Sequence, residues 1–309
     1  MTNETGSYLK TSDVTLYYVV YGDSTGVPLI ALNGGPGRSH QALLNAPVWN
    51  ELAQERPVVF YDQRGTGRSS RLEAGGSCTL GDQLLDLEVL RTHLYGGSHS
   101  EQSIEAEQVD LLGHSWGGYL AMAYTARYPQ QVRRLILVGS AAPRIQDTVM
   151  LAKELFPEIV ERREQLKVAW RLGDEEAFQE AERLYRSLCF YSSKKRDEFL
   201  ATSGRSVMHF DVARALNADL QRFDLNPVLP KFTQPTLVVT GRFDLIVAPS
   251  VAYAIHKAIP NSQFVVFEQS GHRPFFEEPE AFAQTVRQFL TEDNDPNHDL
   301  TTESARVKH

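Results

Sequence analysis

The run Val109-Asp110-Leu111-Leu112-Gly113-His114-Ser115-Trp116-Gly117-Gly118 constrains this chain more than any other stretch, because it sets a serine inside GxSxG between a strand-like and a helix-like segment. A serine on so sharp a strand-to-helix turn takes strained backbone angles, and glycines two positions to either side let neighbouring chain pass without a Cβ clash. Its hydroxyl then stands clear of the sheet. The next amide, that of Trp116, falls in the first helical turn, where N–H groups lack internal partners and favour developing negative charge. Ser115 is therefore the candidate nucleophile. GxSxG also arises by chance in glycine loops, so the flanking patterns carry the assignment rather than the five letters.

A serine hydroxyl is a poor nucleophile at neutral pH and needs a base, which in turn needs an orienting acid. Thr236 to Thr240 reads as a buried strand ending in Gly241-Arg242-Phe243-Asp244, and Gln263 to Phe267 as another ending in Ser270-Gly271-His272. Both Asp244 and His272 thus fall just past the carboxyl end of a strand, where open α/β sheets gather their ligands. Asp244 could instead cap a turn beside Pro249. Among the other histidines, His114 sits on the elbow itself, His93, His99 and His256 lie in or beside surface helices, and His298 and His309 lie in a polar tail. A second oxyanion donor is expected after an early strand, Pro28 to Leu32, in the loop Asn33-Gly34-Gly35-Pro36-Gly37. The Gly35 N–H, paired with that of Trp116, is the expected oxyanion hole.

Four segments resemble the α/β-hydrolase superfamily, and within it the proline iminopeptidase-like branch: NGGPG at Asn33 to Gly37, DQRGTGRS at Asp62 to Ser69, GHSWGG at Gly113 to Gly118, and GRFD followed by SGH. The order Ser, Asp, His is that of the superfamily. The resemblance implies a serine hydrolase working through an acyl-enzyme and releasing an N-terminal residue from small peptides. A carboxylesterase or lactonase acting on small esters is the alternative, and a ligand receptor built on a hydrolase fold is a third reading. Two positions depart from the branch. Asn33 stands where the family loop begins with His, and Leu245 rather than an acidic residue follows Asp244. No tryptophan-glutamate signature is evident in the middle region, so amine-binding carboxylates do not carry over; Asp211, Asp219, Glu154 and Glu158 are the acidic residues available there.

The DQRG loop lacks GxxxxGK[ST] and so carries little phosphate signal. It is expected to be a hydrogen-bonded scaffold under the catalytic loops, with Arg64 and Asp62 paired. A chain of 309 residues with 42% hydrophobic content can bury a substantial core, and a formal charge of −8 disfavours nonspecific nucleic-acid binding. No apolar stretch approaches the roughly 20 residues of a membrane helix, and the start lacks a basic, apolar leader, so the expected compartment is the cytoplasm. Cys78 and Cys189 are expected as free thiols; neither has metal-site spacing. The expected chemistry needs neither metal nor organic cofactor, and its partner is a small molecule or short peptide, with oligomeric state unread.

Strands alternating with helices predict a mostly parallel sheet covered on both faces. Residues 1–142 and 231–290 form the expected core. Residues 143–230 turn charged and helix-rich after the sixth strand and are expected to form a cap over the catalytic residues, with Trp170, Tyr185, Phe190, Tyr191, Met208, His209 and Phe210 on its inner face or packing its helices together. Residues 291–309 form a polar, mobile tail in this reading. Single helices are expected over Gln41 to Gln54 and Ala152 to Leu172.

Overall fold

The computed structural model describes residues 6–22, 26–73, 76–96, 107–202 and 207–291. Two antiparallel strands open the chain, β1 (Ser7–Lys10) and β2 (Thr15–Tyr21). Then come β3 (Leu29–Leu32), α1 (Gln41–Leu44), α2 (Val48–Leu52), β4 (Val58–Tyr61), α3 (Leu80–Leu94), β5 (Val109–His114), α4 (Trp116–Arg127) and β6 (Val132–Val138). After a helical insertion follow β7 (Thr236–Gly241), α10 (Pro249–Ala258), β8 (Ser262–Phe267), α11 (Pro274–Glu277) and α12 (Pro279–Thr291). The eight strands lie in the order β1-β2-β4-β3-β5-β6-β7-β8, parallel from β4 to β8.

The central strands read Leu-Ile-Ala-Leu, Val-Val-Phe-Tyr and Val-Asp-Leu-Leu-Gly-His and are buried along their whole length, as a sheet covered by crossover helices requires. Strand alternation divides them between two cores. Ile30, Leu32, Val59 and Leu111 face one side with Tyr119 and Leu120 of α4 and Leu87 of α3; Leu29, Ala31, Phe60 and Leu112 face the other with Trp49 of α2 and Phe282 of α12. Asp110 is the one carboxylate on β5. It is fully buried and accepts from Arg56 at 3.0 Å and from Arg133. Asp110→Ala would strand two cations at the sheet, one of them almost buried, and is expected to cost about 3 kcal/mol in urea unfolding. A loss under about 0.5 kcal/mol would mean that the arginines find other partners.

Two expected helices are broken. Gln41 to Gln54 separates into α1 and α2 at Asn45-Ala46-Pro47, and Ala152 to Leu172 into α5 (Ala152–Leu155) and α6 (Pro157–Arg171) at Phe156. In each case a proline lacks the N–H that continuation needs and biases the preceding residue away from helix. The insertion continues with α7 (Glu175–Cys189), α8 (Ser193–Thr202) and α9 (Phe210–Leu220), and no strand is formed among its described residues. The backbone N–H of His209 donates to Gly37 O at 2.8 Å, so the insertion meets the loop after β3. The proposed tail beyond Thr291 lies outside the described residues. No helix is long and apolar enough to cross a membrane among the described residues.

Candidate active site

Ser115 has φ 57° and ψ −119°, and it is the one non-glycine residue with positive φ among the described residues. Such strain costs on the order of 1–3 kcal/mol and persists only where the surroundings over-determine it. Here they do. A Cβ on Gly113 would lie 2.3 Å from Gly117 O, and one on Gly117 would lie 2.1 Å from Leu32 O, so neither glycine tolerates a side chain. Ser115 N–H donates to Val138 O at 3.0 Å, and Ser115 O accepts from Gly118 N and Ala141 N. The elbow is thereby pinned to β6 and to the first turn of α4, where the Trp116 amide has no carbonyl one turn back within the helix.

His272 follows β8 and Asp244 follows β7. The His272 Nδ1 lies 2.7 Å from Asp244 Oδ2, with both side chains essentially excluded from solvent. The other oxygen, Oδ1, accepts the backbone N–H groups of Ile246 at 2.9 Å and Val247 at 2.8 Å, which fixes the carboxylate plane. That arrangement places the imidazole proton on Nδ1 and leaves Nε2 as the basic nitrogen, and Nε2 is buried without a hydrogen-bond partner among the described residues. The His114 ring lies 4.6 Å from that of His272 and its Nε2 is 2.8 Å from His272 O. Burial first, and the neighbouring Arg273 charge among the further causes, hold His114 well below the ordinary imidazole value, so it stays neutral where it packs on the His272 ring.

Gly139 was not legible as a site residue. Its φ is +49°, and a Cβ there would stand 3.1 Å from both Asp244 Oδ2 and His272 Nδ1. Gly139→Ala is expected to displace the pair and lower kcat/KM by about 10²-fold, since misplacements of about 1 Å cost that much. Full activity in a folded variant would mean that the pair does not need its present position.

On the opposite wall, Asn33 Nδ2 donates to Arg38 O at 2.9 Å and to Gly34 O at 3.3 Å, holding the loop that carries Gly35 at φ +68°. Gly34 packs so closely on the elbow that a Cβ there would lie 2.8 Å from Ser115 Cβ. The DQRG loop braces both: Gln63 Oε1 accepts from Trp116 Nε1 at 2.9 Å, and Gln63 Nε2 donates to Asn33 O at 3.4 Å. The expected Arg64–Asp62 pair is not formed. Arg64 instead grips Asp86 of α3 through two bonds of 2.7 and 2.8 Å and also reaches Asp13. Asp62 turns to the loop, accepting from the His40 and Arg68 backbone N–H groups and from His40 Nδ1. The unpaired loop amides need an acceptor, whereas the guanidinium reaches a helix carboxylate with matching fork geometry.

Several of the aromatic residues expected on the inner face of the insertion or between its helices pack with one another or against neighbouring loops. Trp170, Met208 and Phe210 line a cavity of about 310 Å³ with Phe178, between insertion helices. Phe190 packs on Phe199 and Phe276, and Tyr191 stacks on Phe243 with ring centroids 4.3 Å apart. Of the acidic residues available, Glu154, Glu158 and Asp211 are exposed, and Asp219 accepts from Leu80 N. Sequence reasoning passed over Glu182, Arg38, Arg186, Arg273 and Glu277, all buried. Glu182 and Arg186 stand one helical turn apart on α7, and Arg273 and Glu277 lie just past His272, which were the available signals.

Glu277 ties the loop after β8 to the insertion: its Oε2 accepts from Gly271 N at 2.7 Å, and its Oε1 from Tyr191 N and Ser192 N at 2.9 Å each. Burial, opposed by these donors and assisted by Glu278, pushes its carboxyl up to about 7. A carboxyl raised above its unfolded value of 4.5 contributes stability below pH 4.5 that is lost as pH rises toward 7. Glu277→Gln, which cannot ionise, should therefore lose most stability relative to the wild type near pH 4.5 and less above pH 7. A Tm difference that grows with pH would contradict this.

A model of the α/β hydrolase fold matches residues 27–279, and the chain belongs to that family. Within it, a proline iminopeptidase of Saccharolobus solfataricus is 30% identical over 298 residues, spanning 92% of this chain and 91% of its own. Among solved structures, an α/β fold family hydrolase from Bacillus anthracis superimposes with a TM-score of 0.75 at 23% identity, over 93% of this chain and 99% of that one. A thermophilic esterase from Thermogutta terrifontis superimposes at 0.70 and 26% identity, over 93% and 98%. The family read from the four sequence segments is thus the family found.

Proposed function

We propose that the protein is a serine hydrolase in which Ser115 attacks a carbonyl, His272 takes the hydroxyl proton on Nε2, Asp244 holds the imidazole, and the Gly35 and Trp116 amides stabilise the oxyanion. Water, activated by the same histidine, then releases the acyl group. The observation that carries this reading is the buried Asp244–His272 pair, its outer nitrogen without a partner among the described residues, together with the strained serine at the end of β5. The iminopeptidase relatives favour release of an N-terminal residue, proline first, from small peptides. Proline p-nitroanilide should then be cleaved much faster than its N-acetyl form. Equal turnover of the two, or activity confined to short acyl esters, would defeat the peptidase reading.

A second reading, a carboxylesterase or lactonase, is favoured by the state of Glu182. This buried carboxylate of the insertion is already engaged by Arg38 at 2.5 Å and Arg186 at 3.4 Å. An α-ammonium would have to displace a guanidinium to use it, and burying an unpaired ammonium is costly.

A further inference from the structure

The backbone of His272 is held from outside the sheet. Its N–H donates at 2.8 Å to the carbonyl of Cys189, the last residue of α7, and its own carbonyl accepts from His114 Nε2 at 2.8 Å. Both partners are buried. The insertion therefore touches the residue after β8 directly, through the stretch 189–192 between α7 and α8. The fit is close. A Cβ on Gly271 would lie 2.7 Å from Cys189 O and 3.1 Å from Tyr191 N, so only glycine lets the two segments approach this far.

Glu277, itself buried, bonds the two segments together. Its Oε2 accepts the Gly271 N–H, and its Oε1 accepts those of Tyr191 and Ser192, so one carboxylate serves three backbone donors on both sides of the Cys189–His272 bond. Donors left without an acceptor are costly, which makes this arrangement depend on an acceptor at that point. A second contact runs to the loop after β7. The Tyr191 ring stacks on that of Phe243, the residue before Asp244, and the Phe243 N–H donates to Ser270 O at 3.0 Å. The chain beside Asp244 and the chain beside His272 are thus joined through 189–192 and Glu277.

We infer that Glu277 is a positioning residue: with the Cys189–Ser192 stretch it sets where the His272 imidazole stands relative to Ser115, which makes the insertion part of the geometry of proton transfer. The inference rests on the hydrolase reading above. A base must stand within hydrogen-bond reach of the proton it takes, and a displacement of about 1 Å costs on the order of 10²-fold. Asp244 fixes the rotation of the ring through Nδ1, whereas the Gly271 peptide and the Cys189 carbonyl fix the backbone from which the ring hangs. All three Glu277 bonds go to backbone, so it acts on the imidazole through Gly271 and the 189–192 stretch. Glutamine is the informative change. It keeps the shape, but one end becomes an NH₂ that meets either the Gly271 N–H or the Tyr191 and Ser192 N–H groups, donor against donor.

Glu277→Gln, assayed well below its Tm on p-nitrophenyl acetate or proline p-nitroanilide, is expected to lower kcat by about 10–100-fold with KM within about threefold. Fluorophosphonate labelling of Ser115 should slow by a similar factor. Leu166→Ala controls for loosening of the insertion, because it hollows the apolar cluster that Leu166 forms with Trp170, Phe178 and Ala181. It should lower Tm and leave kcat and labelling within about twofold of the wild type. Where Glu277→Gln does not fold, Glu277→Asp, which keeps the charge on a shorter arm, is read in its place. A folded Glu277 variant whose kcat and labelling rate stay within about threefold of the wild type, or an equal fall in Leu166→Ala, would overturn the positioning role. Failure of the hydrolase reading looks different, since wild-type Ser115 would then form no adduct at all.

Discussion

Replacing Ser115 by Ala is expected to lower hydrolysis of any substrate by a factor on the order of 10⁴–10⁶, because the acyl-serine route closes and only the oxyanion donors and binding remain. Stability should move the other way or barely change. Ser115 holds φ 57° under strain, and its side chain accepts no cap bond from α4, so alanine loses no hydrogen bond that fixes the elbow. The informative result is the combination of lost turnover with an unchanged or slightly higher Tm. A variant retaining more than a few per cent of wild-type kcat would remove Ser115 from the chemistry.

Asp244→Asn should have the next largest effect, a fall in kcat on the order of 10³–10⁴-fold. The reason is specific to how the carboxylate is held. Its Oδ1 is fixed by the Ile246 and Val247 amides, so an asparagine would keep its oxygen there and turn its NH₂ toward His272 Nδ1. Nδ1 would then have to accept, the imidazole proton would move to Nε2, and the base would be lost without loss of fold. A fall of less than tenfold would mean that Asp244 holds the loop and does not orient the base.

The parts of this molecule that the sequence made legible are those whose physics is local. Buried parallel strands are apolar runs, so β3 to β7 stand where Leu29, Val58, Val109, Val132 and Thr236 begin them. The elbow announces itself because only glycine fits at 113 and 117, and Asp244 and His272 stand at strand ends on the same edge. Helices that the 3.6-residue pattern joined were cut at Pro47 and Phe156-Pro157, where proline chemistry overrides amphipathic spacing. What stayed hidden depends on distant side chains meeting. Arg64 offered Asp62 as a near neighbour in sequence, yet took Asp86 and Asp13. Gly139 looks like any strand-end glycine until the Asp244–His272 pair is packed against it. Likewise, Arg38, Arg186 and Arg273 lie far apart in sequence, and only the packing of the fold buries all three.

The central claim is that one serine, activated by the Asp244–His272 pair, carries the acyl group, and it is tested most directly by mapping a fluorophosphonate adduct by peptide mass spectrometry. The account predicts a single modified residue, Ser115, and loss of that adduct when His272 is replaced by Ala. Modification at any other serine with Ser115 untouched, or an adduct at Ser115 that forms equally fast without His272, would contradict it.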